Sequence, residues 1–323
     1  MENIVTITIN PAIDKSAVID QLVPEHKLRC THVKYEPGGG GINVSRALQK
    51  LGAPSVAVFA SGGPAGQHMQ NLLRQEGVEP YPVEVENWTR ENFIVVESST
   101  NHQFRFGMPG PELSEKEADA FLDLLEKLQP RPDVVVGSGS LPPGLPTDFY
   151  ARLAHRAKKV GAKFVVDTSG EALQQVVAEG VYLLKPNLGE LSRMAGVQSI
   201  RAEEVEEYGR QVLAQGPSEV VVVSLGPAGA MLVSAKEAIY VPAPPVHKRS
   251  TVGAGDSMVG GMVYSLAQGK SLCETVQFGV ACGSAATMNP GTELFRTADV
   301  ERLYRWIQRQ EKNADPIPTA NIS

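Results

Sequence analysis

The segment Ser250-Thr251-Val252-Gly253-Ala254-Gly255-Asp256 stands directly before the apolar run Ser257-Met258-Val259-Gly260-Gly261-Met262-Val263. Small side chains leave main-chain N–H groups uncovered where a helix would begin. Those donors, with the positive end of the helix, can hold an anion. A carboxylate among phosphate-binding amides repels phosphate, so its presence needs a reason. Asp256 fits as a base that takes a proton from a hydroxyl while the amides stabilise a migrating phosphoryl group. The pattern points to phosphoryl transfer onto a small molecule. A helix start with an acid in its first turn explains the same letters without chemistry, so support must come from elsewhere in the chain.

Other polar clusters follow apolar runs, where an open parallel sheet gathers its ligands. Gly38-Gly39-Gly40-Gly41-Ile42-Asn43 precedes a helical pattern. Four successive glycines carry a large entropy cost; they bring backbone close to a polar substrate, and Asn43 adds an amide for hydroxyls. A flexible entry loop is the competing reading. Asp14, beyond the first strand and Pro11, can accept hydrogen bonds from sugar hydroxyls or cap a turn. Gly137-Ser138-Gly139-Ser140 and Asp167 occupy similar strand-end positions. Arg90 and Arg105 flank a hairpin, with Lys27 and Arg29 near earlier strands of the same sheet. Guanidinium forks suit the oxygens of a terminal phosphate, although each cation taken singly reads as solvated surface charge. In Lys185-Pro186-Asn187-Leu188-Gly189-Glu190, Asn187 and Glu190 are three apart. They can aim both oxygens at magnesium beside nucleotide phosphates, or close a capping box, or do both. Ser224 and Gly226 end another strand within reach of a nucleotide. Gly283 to Gly291 offers a small-residue helix end whose open carbonyls suit a nucleobase edge or a monovalent cation; helix packing is the stronger reading for Ala285 and Ala286.

These clusters need a framework of strands and helices. Residues 4–9 alternate and are β-branched, which predicts an opening strand broken by Asn10-Pro11. Short strands are predicted at 17–19 and 30–35, with a helix after the glycines carrying Ile42, Val44, Ala47, Leu48 and Leu51. A strand at 56–59 and a helix at 66–76 follow. Residues 92–97 and 103–106 read as a hairpin that joins the strands near 17 and 33 in a small sheet off the main body. From Leu113 onward, helices near 113–128, 146–160, from 171 and 202–215 alternate with strands at 134–136, 164–166, 181–184 and 219–223. Strands this apolar predict a mostly parallel sheet covered on both faces. Residues 230–233 and 238–241 extend it in antiparallel fashion, and helices start near 256, 272 and 299.

Composition narrows the classes. The 323 residues carry 20% charged and 42% hydrophobic side chains with a net charge of -6, an ordinary globular balance. No basic block with interleaved aromatics suggests a nucleic-acid partner. No run has transmembrane length, so no membrane partner is expected and the cytoplasm is the expected location. Cys30, Cys273 and Cys282 are odd in number and widely spaced, which suggests neither a disulfide framework nor a zinc cluster. The first βα turn lacks a dinucleotide fingerprint, and the glycine run lacks the Lys-Ser/Thr ending of a P-loop.

The glycine run with Ile42-Asn43-Val44, Lys185-Pro186-Asn187 with Glu190, and Thr251 to Asp256 together resemble the ribokinase-like (PfkB-type) carbohydrate kinases, from Ile4 to about Arg309. The resemblance implies an α/β three-layer fold with a mostly parallel central sheet and a small β-sheet lid. It implies one kinase domain over 1–310, lid segments near 12–35 and 90–107, and a polar tail at 311–323. The family phosphorylates sugar hydroxyls with ATP and Mg²⁺. Asp256 matches its base, and Gly253, Ala254 and Gly255 its anion hole. Lys185, Asn187, Ser224, Gly226, Thr251 and Gly253 match nucleotide contacts, while Asn187 and Glu190 match residues arranging Mg²⁺ and its waters. Asp14, Gly39, Asn43 and Ser140 match sugar contacts; Arg90 and Arg105 match phosphate contacts. Lys27 and Arg29 map to the lid, where members join as homodimers and one subunit completes its partner's site. Ser250, Val252, Ala286, Asn289 and Gly291 match a K⁺ loop, with Ser250-Thr251 replacing the usual Asp-Thr, as in the phosphosugar branch. That branch implies phosphorylation of the C1 hydroxyl of fructose 6-phosphate, and a second, inhibitory ATP near the sugar site. The glycine run lacks the lysine common in 1-phosphofructokinases. Fructose 1-phosphate and tagatose 6-phosphate are the alternative acceptors, and a non-catalytic sugar-phosphate or nucleotide sensor is the alternative of another class.

Overall fold

The computed structural model describes residues 2–311. Strand β1 (Ile4–Thr8) leads through β2 (Ala12–Ile19) and β3 (Thr31–Gly38) to helix α1 (Gly40–Lys50). Strand β4 (Val56–Ser61), helix α2 (Gly63–Gln75) and strand β5 (Glu79–Glu84) precede the hairpin β6 (Arg90–Glu97) and β7 (Gln103–Phe106). The alternating stretch runs α3 (Glu115–Lys127), β8 (Val134–Ser138), α4 (Phe149–Lys159), β9 (Lys163–Asp167), α5 (Gly170–Glu179), β10 (Leu183–Leu184), α6 (Leu188–Met194), α7 (Val205–Leu213) and β11 (Val220–Ser224). Strands β12 (Gly229–Ser234) and β13 (Ala238–Pro242) then lead to α8 (Ala254–Ala267), α9 (Leu272–Thr287) and α10 (Thr297–Glu311).

Nine strands form one sheet in the order β13-β12-β11-β10-β9-β8-β1-β4-β5, all running one way except β12, which is antiparallel to both its neighbours. The Val-rich strands are buried on both faces, so helices must cover both. Helices α3 to α7 cover one face, and α1, α8, α9 and α10 the other. The chain order reverses between β1 and β8, which makes the carboxyl ends of those strands the place for a ligand crevice. The glycine run seats there. A Cβ on Gly40 would collide with Ser138 and the Gly139 nitrogen, and one on Gly41 would lie 2.5 Å from Thr8 Oγ1. Close packing against the sheet ends therefore requires glycine at both positions.

The second sheet has the order β3-β2-β6-β7. Alternation along each strand gives it two different faces. Pairing places Tyr35, Lys15, Phe93 and Phe106 in one row across all four strands. Asp14, Glu36, Arg90, Asn92 and Arg105 have the opposite parity and share the other face.

The structure departs from the sequence reading in several places. Strands β2 and β3 are longer than predicted and put Asp14 inside a strand, not a turn. Gly40 and Gly41 belong to α1. Strand β5 was unforeseen because Pro80 and Pro82 interrupt its pattern; it is an edge strand, where proline is tolerated. Strand β10 shrinks to two residues, and the helix expected over 202–215 is a 3₁₀ turn, Ala202–Glu204, followed by α7. Helix α10 starts at Thr297, and the tail expected over 311–323 lies, beyond residue 311, outside the described residues. No helix among the described residues is long and apolar enough to cross a membrane.

Helix α8 approaches α1 closely because Gly260 faces Ala47: a Cβ there would lie 2.7 Å from Ala47 Cβ. G260A should therefore lower stability by about 1–3 kcal/mol through overpacking. A lower urea midpoint at unchanged slope is the expected reading, and an unchanged midpoint would show that the helices can separate freely.

Candidate active site

Helix α8 begins at Gly253, whose φ of 71° lies in the left-handed region that favours glycine. First-turn amides have no carbonyl one turn back. Here the Ser257 N–H bonds to the Gly253 carbonyl at 2.8 Å and the Ala254 N–H to the Thr251 carbonyl at 3.3 Å. The N–H groups of Gly255 and Asp256 have no backbone acceptor from the preceding loop. This end of α8 sits over the carboxyl ends of β9 and β10: a Cβ on Gly255 would be 3.6 Å from Lys185 Nζ and 3.9 Å from Asp167 Oδ2.

Register carries the next contact. Leu184 pairs with Val166, so Lys185 and Asp167 emerge side by side, with Nζ to Oδ1 at 3.2 Å. Burial works against the charge on Lys185, yet Asp167, with Glu190 and Asp256 beyond it, keeps its pKa above the usual value. Asp256 accepts a hydrogen bond from Asn43 Nδ2 at 2.8 Å. Burial, then the charge of Asp167, pushes its carboxyl from 3.8 to about 6, against the lowering effects of Asn43 and Lys185. A base poised near neutrality suits proton abstraction.

Asp14 is buried on β2 and accepts from Asn92 Nδ2 at 2.8 Å. Burial raises its pKa, while Asn92, Arg105, Arg90 and Arg46 act the other way. The Arg90 guanidinium is engaged by main-chain carbonyls, those of Asn10 and Met108 at 3.0 Å and of Pro11 at 3.3 Å. Arg105 is exposed on the same sheet face. Ser140 is exposed and meets Asn10 Nδ2 at 3.3 Å. Gly39 caps α1 with a φ of 111°.

Asn187 and Glu190 form the capping box of α6: the Asn187 N–H donates to Glu190 Oε2 at 2.8 Å, and the Glu190 N–H to Asn187 Oδ1 at 2.9 Å. Burial raises the Glu190 pKa, opposed by the Asn187 amide, and the charge of Asp167 raises it further. Ser224 bridges to Asn187, which joins two of the expected nucleotide contacts; Gly226, two residues on from Ser224, and Thr251, before α8, are both exposed. The expected cation loop is stitched together: Ser250 Oγ donates to the Gly291 carbonyl at 3.2 Å, and Asn289 Nδ2 to the carbonyls of Leu294 at 2.9 Å and Ala285 at 3.3 Å. Ala286 is buried at the end of α9, and the Val252 N–H donates to Ser250 Oγ at 3.1 Å. Lys27 and Arg29 are exposed between β2 and β3 and make no hydrogen bond or ion pair with these residues. The sequence reading assigns no role to Asn92, Glu36 or Arg46; for Arg46, its i, i+3 spacing from Asn43 inside an apolar helical face was the available signal.

This constellation lies within a recognisable chain. The profile of the pfkB family carbohydrate kinases matches residues 1–298. The chain belongs to the pfkB family of carbohydrate kinases. It is 43% identical over 310 residues to the ATP-dependent 6-phosphofructokinase isozyme 2 of Escherichia coli (strain K12), covering 96% of this chain and all of that one. Its fold superposes on the phosphofructokinase-2 of Escherichia coli in complex with potassium with a TM-score of 0.91, at 42% identity over 96% of this chain and 100% of that one. The complex of the same enzyme with substrates and products gives a TM-score of 0.88, at 42% identity over 95% and 100% of the two chains. This carbohydrate kinase thus has the three-layer ribokinase-like fold expected of its motifs.

The raised pKa of Asp256 has a consequence for stability. Between 3.8 and about 6 the folded kinase binds a proton that the unfolded chain has released. Stability from this group is therefore present at low pH and lost as pH rises through that window. D256N should show a higher urea midpoint than the parent at pH about 8, with the gap closing toward pH about 4. Equal midpoints at the higher pH would mean that the half-buried carboxylate carries no such penalty.

Proposed function

We propose that the protein transfers the terminal phosphoryl group of ATP to the C1 hydroxyl of fructose 6-phosphate, giving fructose 1,6-bisphosphate and ADP, with the cytoplasm as its place of action. The observation that carries this reading is the Asp256 carboxylate, half-buried beside first-turn amides of α8 and hydrogen-bonded to Asn43 at 2.8 Å. Full-length similarity to a phosphofructokinase isozyme supports the same acceptor.

The chain's residues divide the work. Asp256 takes the C1 proton as the new O–P bond forms and the bond to ADP breaks. The Gly255 and Asp256 amides, with that of Gly253, face the charge that develops on the transferring group, and the Ala254 N–H joins them only by leaving the Thr251 carbonyl. Asp14, Gly39, Asn43 and Ser140 orient sugar hydroxyls, and Arg105 with Arg90 reads the 6-phosphate from the polar face of the lid. Lys185, Ser224, Gly226 and Thr251 line the nucleotide side. The donor set fits magnesium: burial raises the proton affinity of the half-buried Glu190 and the charge of Asp167 raises it further, a strain that a divalent cation would relieve. Glu190 and, through water, Asn187 would hold it, and bound Mg²⁺ neutralises charge on the phosphates. The carbonyls of Ser250, Val252, Ala286 and Gly291, beside Asn289, suit K⁺. Leu22, Val33, Tyr35 and Phe106 are large exposed apolar side chains on and beside the lid, which supports a homodimer joined through it, with Lys27 and Arg29 near the partner's cleft. A second ATP near the sugar site would act as an inhibitor at high concentration.

D256N should lose at least about 10²-fold in kcat with substrate binding retained; near-parental turnover would remove the base role. R105A should raise KM for fructose 6-phosphate and leave kcat nearly unchanged, whereas R90A should both raise KM and lower kcat because Arg90 also ties down Asn10 and Pro11. Equal losses with unphosphorylated fructose would end the phosphate-reading role. Side-by-side kcat/KM values on fructose 6-phosphate, fructose 1-phosphate and tagatose 6-phosphate should favour the first, and a clear win for either other sugar would overturn the acceptor.

A further inference from the structure

Arg46 is only 3% exposed, on α1 and one turn after Asn43. Its Nε and Nη2 meet the two carboxylate oxygens of Glu76, each at 2.7 Å. Its Nη1 reaches the carbonyls of Pro37 at 3.0 Å and Thr292 at 3.1 Å, and Asn43 Oδ1 at 3.2 Å. One guanidinium thus ties together the strand before the glycine run, the loop after α9, and the amide that bonds Asp256.

An amide side chain has a donor end and an acceptor end, whereas a guanidinium only donates. Turned over, the Asn43 amide would set its NH₂ against Arg46 and its oxygen against the Asp256 carboxylate, two repulsive contacts at once. We infer that Arg46 is a positioning residue for phosphoryl transfer, locking the Asn43 amide with its nitrogen toward Asp256. The inference rests on Asp256 being the base. Lysine cannot substitute, because a single ammonium cannot grip both Glu76 oxygens and still reach Asn43. A cavity of about 440 Å³, lined by Glu36, Arg46, Lys50, Glu76, Glu293 and Arg296 among others, opens on the other side of the guanidinium.

The charged groups around Asp256 are Asp167 at the end of β9, Lys185 after β10 and Asp14 on the lid; the Arg46 charge also acts on Asp14. A double-mutant cycle separates these routes. We expect R46K to lower kcat/KM for fructose 6-phosphate about tenfold near neutral pH and to move the acidic limb of its pH profile up by about one unit, the size of one charge-assisted hydrogen bond. N43A should do the same, and the double variant should be no worse than N43A alone. Additive losses, or an R46K profile with the parental limb, would overturn the inference. E76Q loosens the same clamp while keeping its size and guards against R46K failing to fold. Its limb should shift the same way, and not in the N43A background; an unshifted E76Q limb also overturns the inference. Near-parental turnover in D256N would instead remove the base reading itself, whatever Arg46 does.

Discussion

Drawing the Asp256 carboxylate partly out of water is the constraint around which the cleft is built, because an ionised acid stripped of hydration is stable only when its neighbours answer its charge. Asp167 and Asp14 push toward protonation, while Asn43 and Lys185 pull the other way, and the balance leaves the group at about 6. No single element could set that balance. Asn43 comes from α1, Asp167 from β9, Lys185 from the strand end beside it, and the acid from the first turn of α8. The parallel sheet supplies the common edge at which these elements meet, and the absent side chain at Gly260 lets the two helices stand close enough for a 2.8 Å contact.

The small sheet uses alternation to serve two purposes at once. Residues of one parity bring Asp14, Asn92, Arg90 and Arg105 to a single polar face. Residues of the other parity stack Phe93 on Phe106 with ring centroids 6.3 Å apart and set Lys15 over Tyr35 at 5.1 Å. A one-residue slip in pairing would exchange the faces. The long ladder between β2 and β6 makes such a slip expensive, since every residue from Ala12 to Ile19 has a partner.

Much of this was legible in the residues. Apolar strands at regular intervals implied the central sheet, and the glycine-flanked Asp256 announced its helix start. The capping-box reading of Asn187 and Glu190 describes the bonds they make. What the sequence hid were contacts made across distance. Arg46 looks like any helical arginine until Glu76, Pro37 and Thr292 converge on it, and Asn92 has no local pattern at all. Asp14 looked like a turn residue because Pro11 suggested a break, whereas pairing with β3 and β6 makes it part of a strand.

The prolines of β5 shape more than that strand's own pattern. Pro80 and Pro82 share a parity, so both rings replace donors on one side, while the six-residue ladder to β4 stays intact. The rim of the nine-stranded sheet is left short of hydrogen-bond donors where another chain would try to dock edge to edge. Runaway stacking of copies into a continuous sheet is thereby blocked at that end.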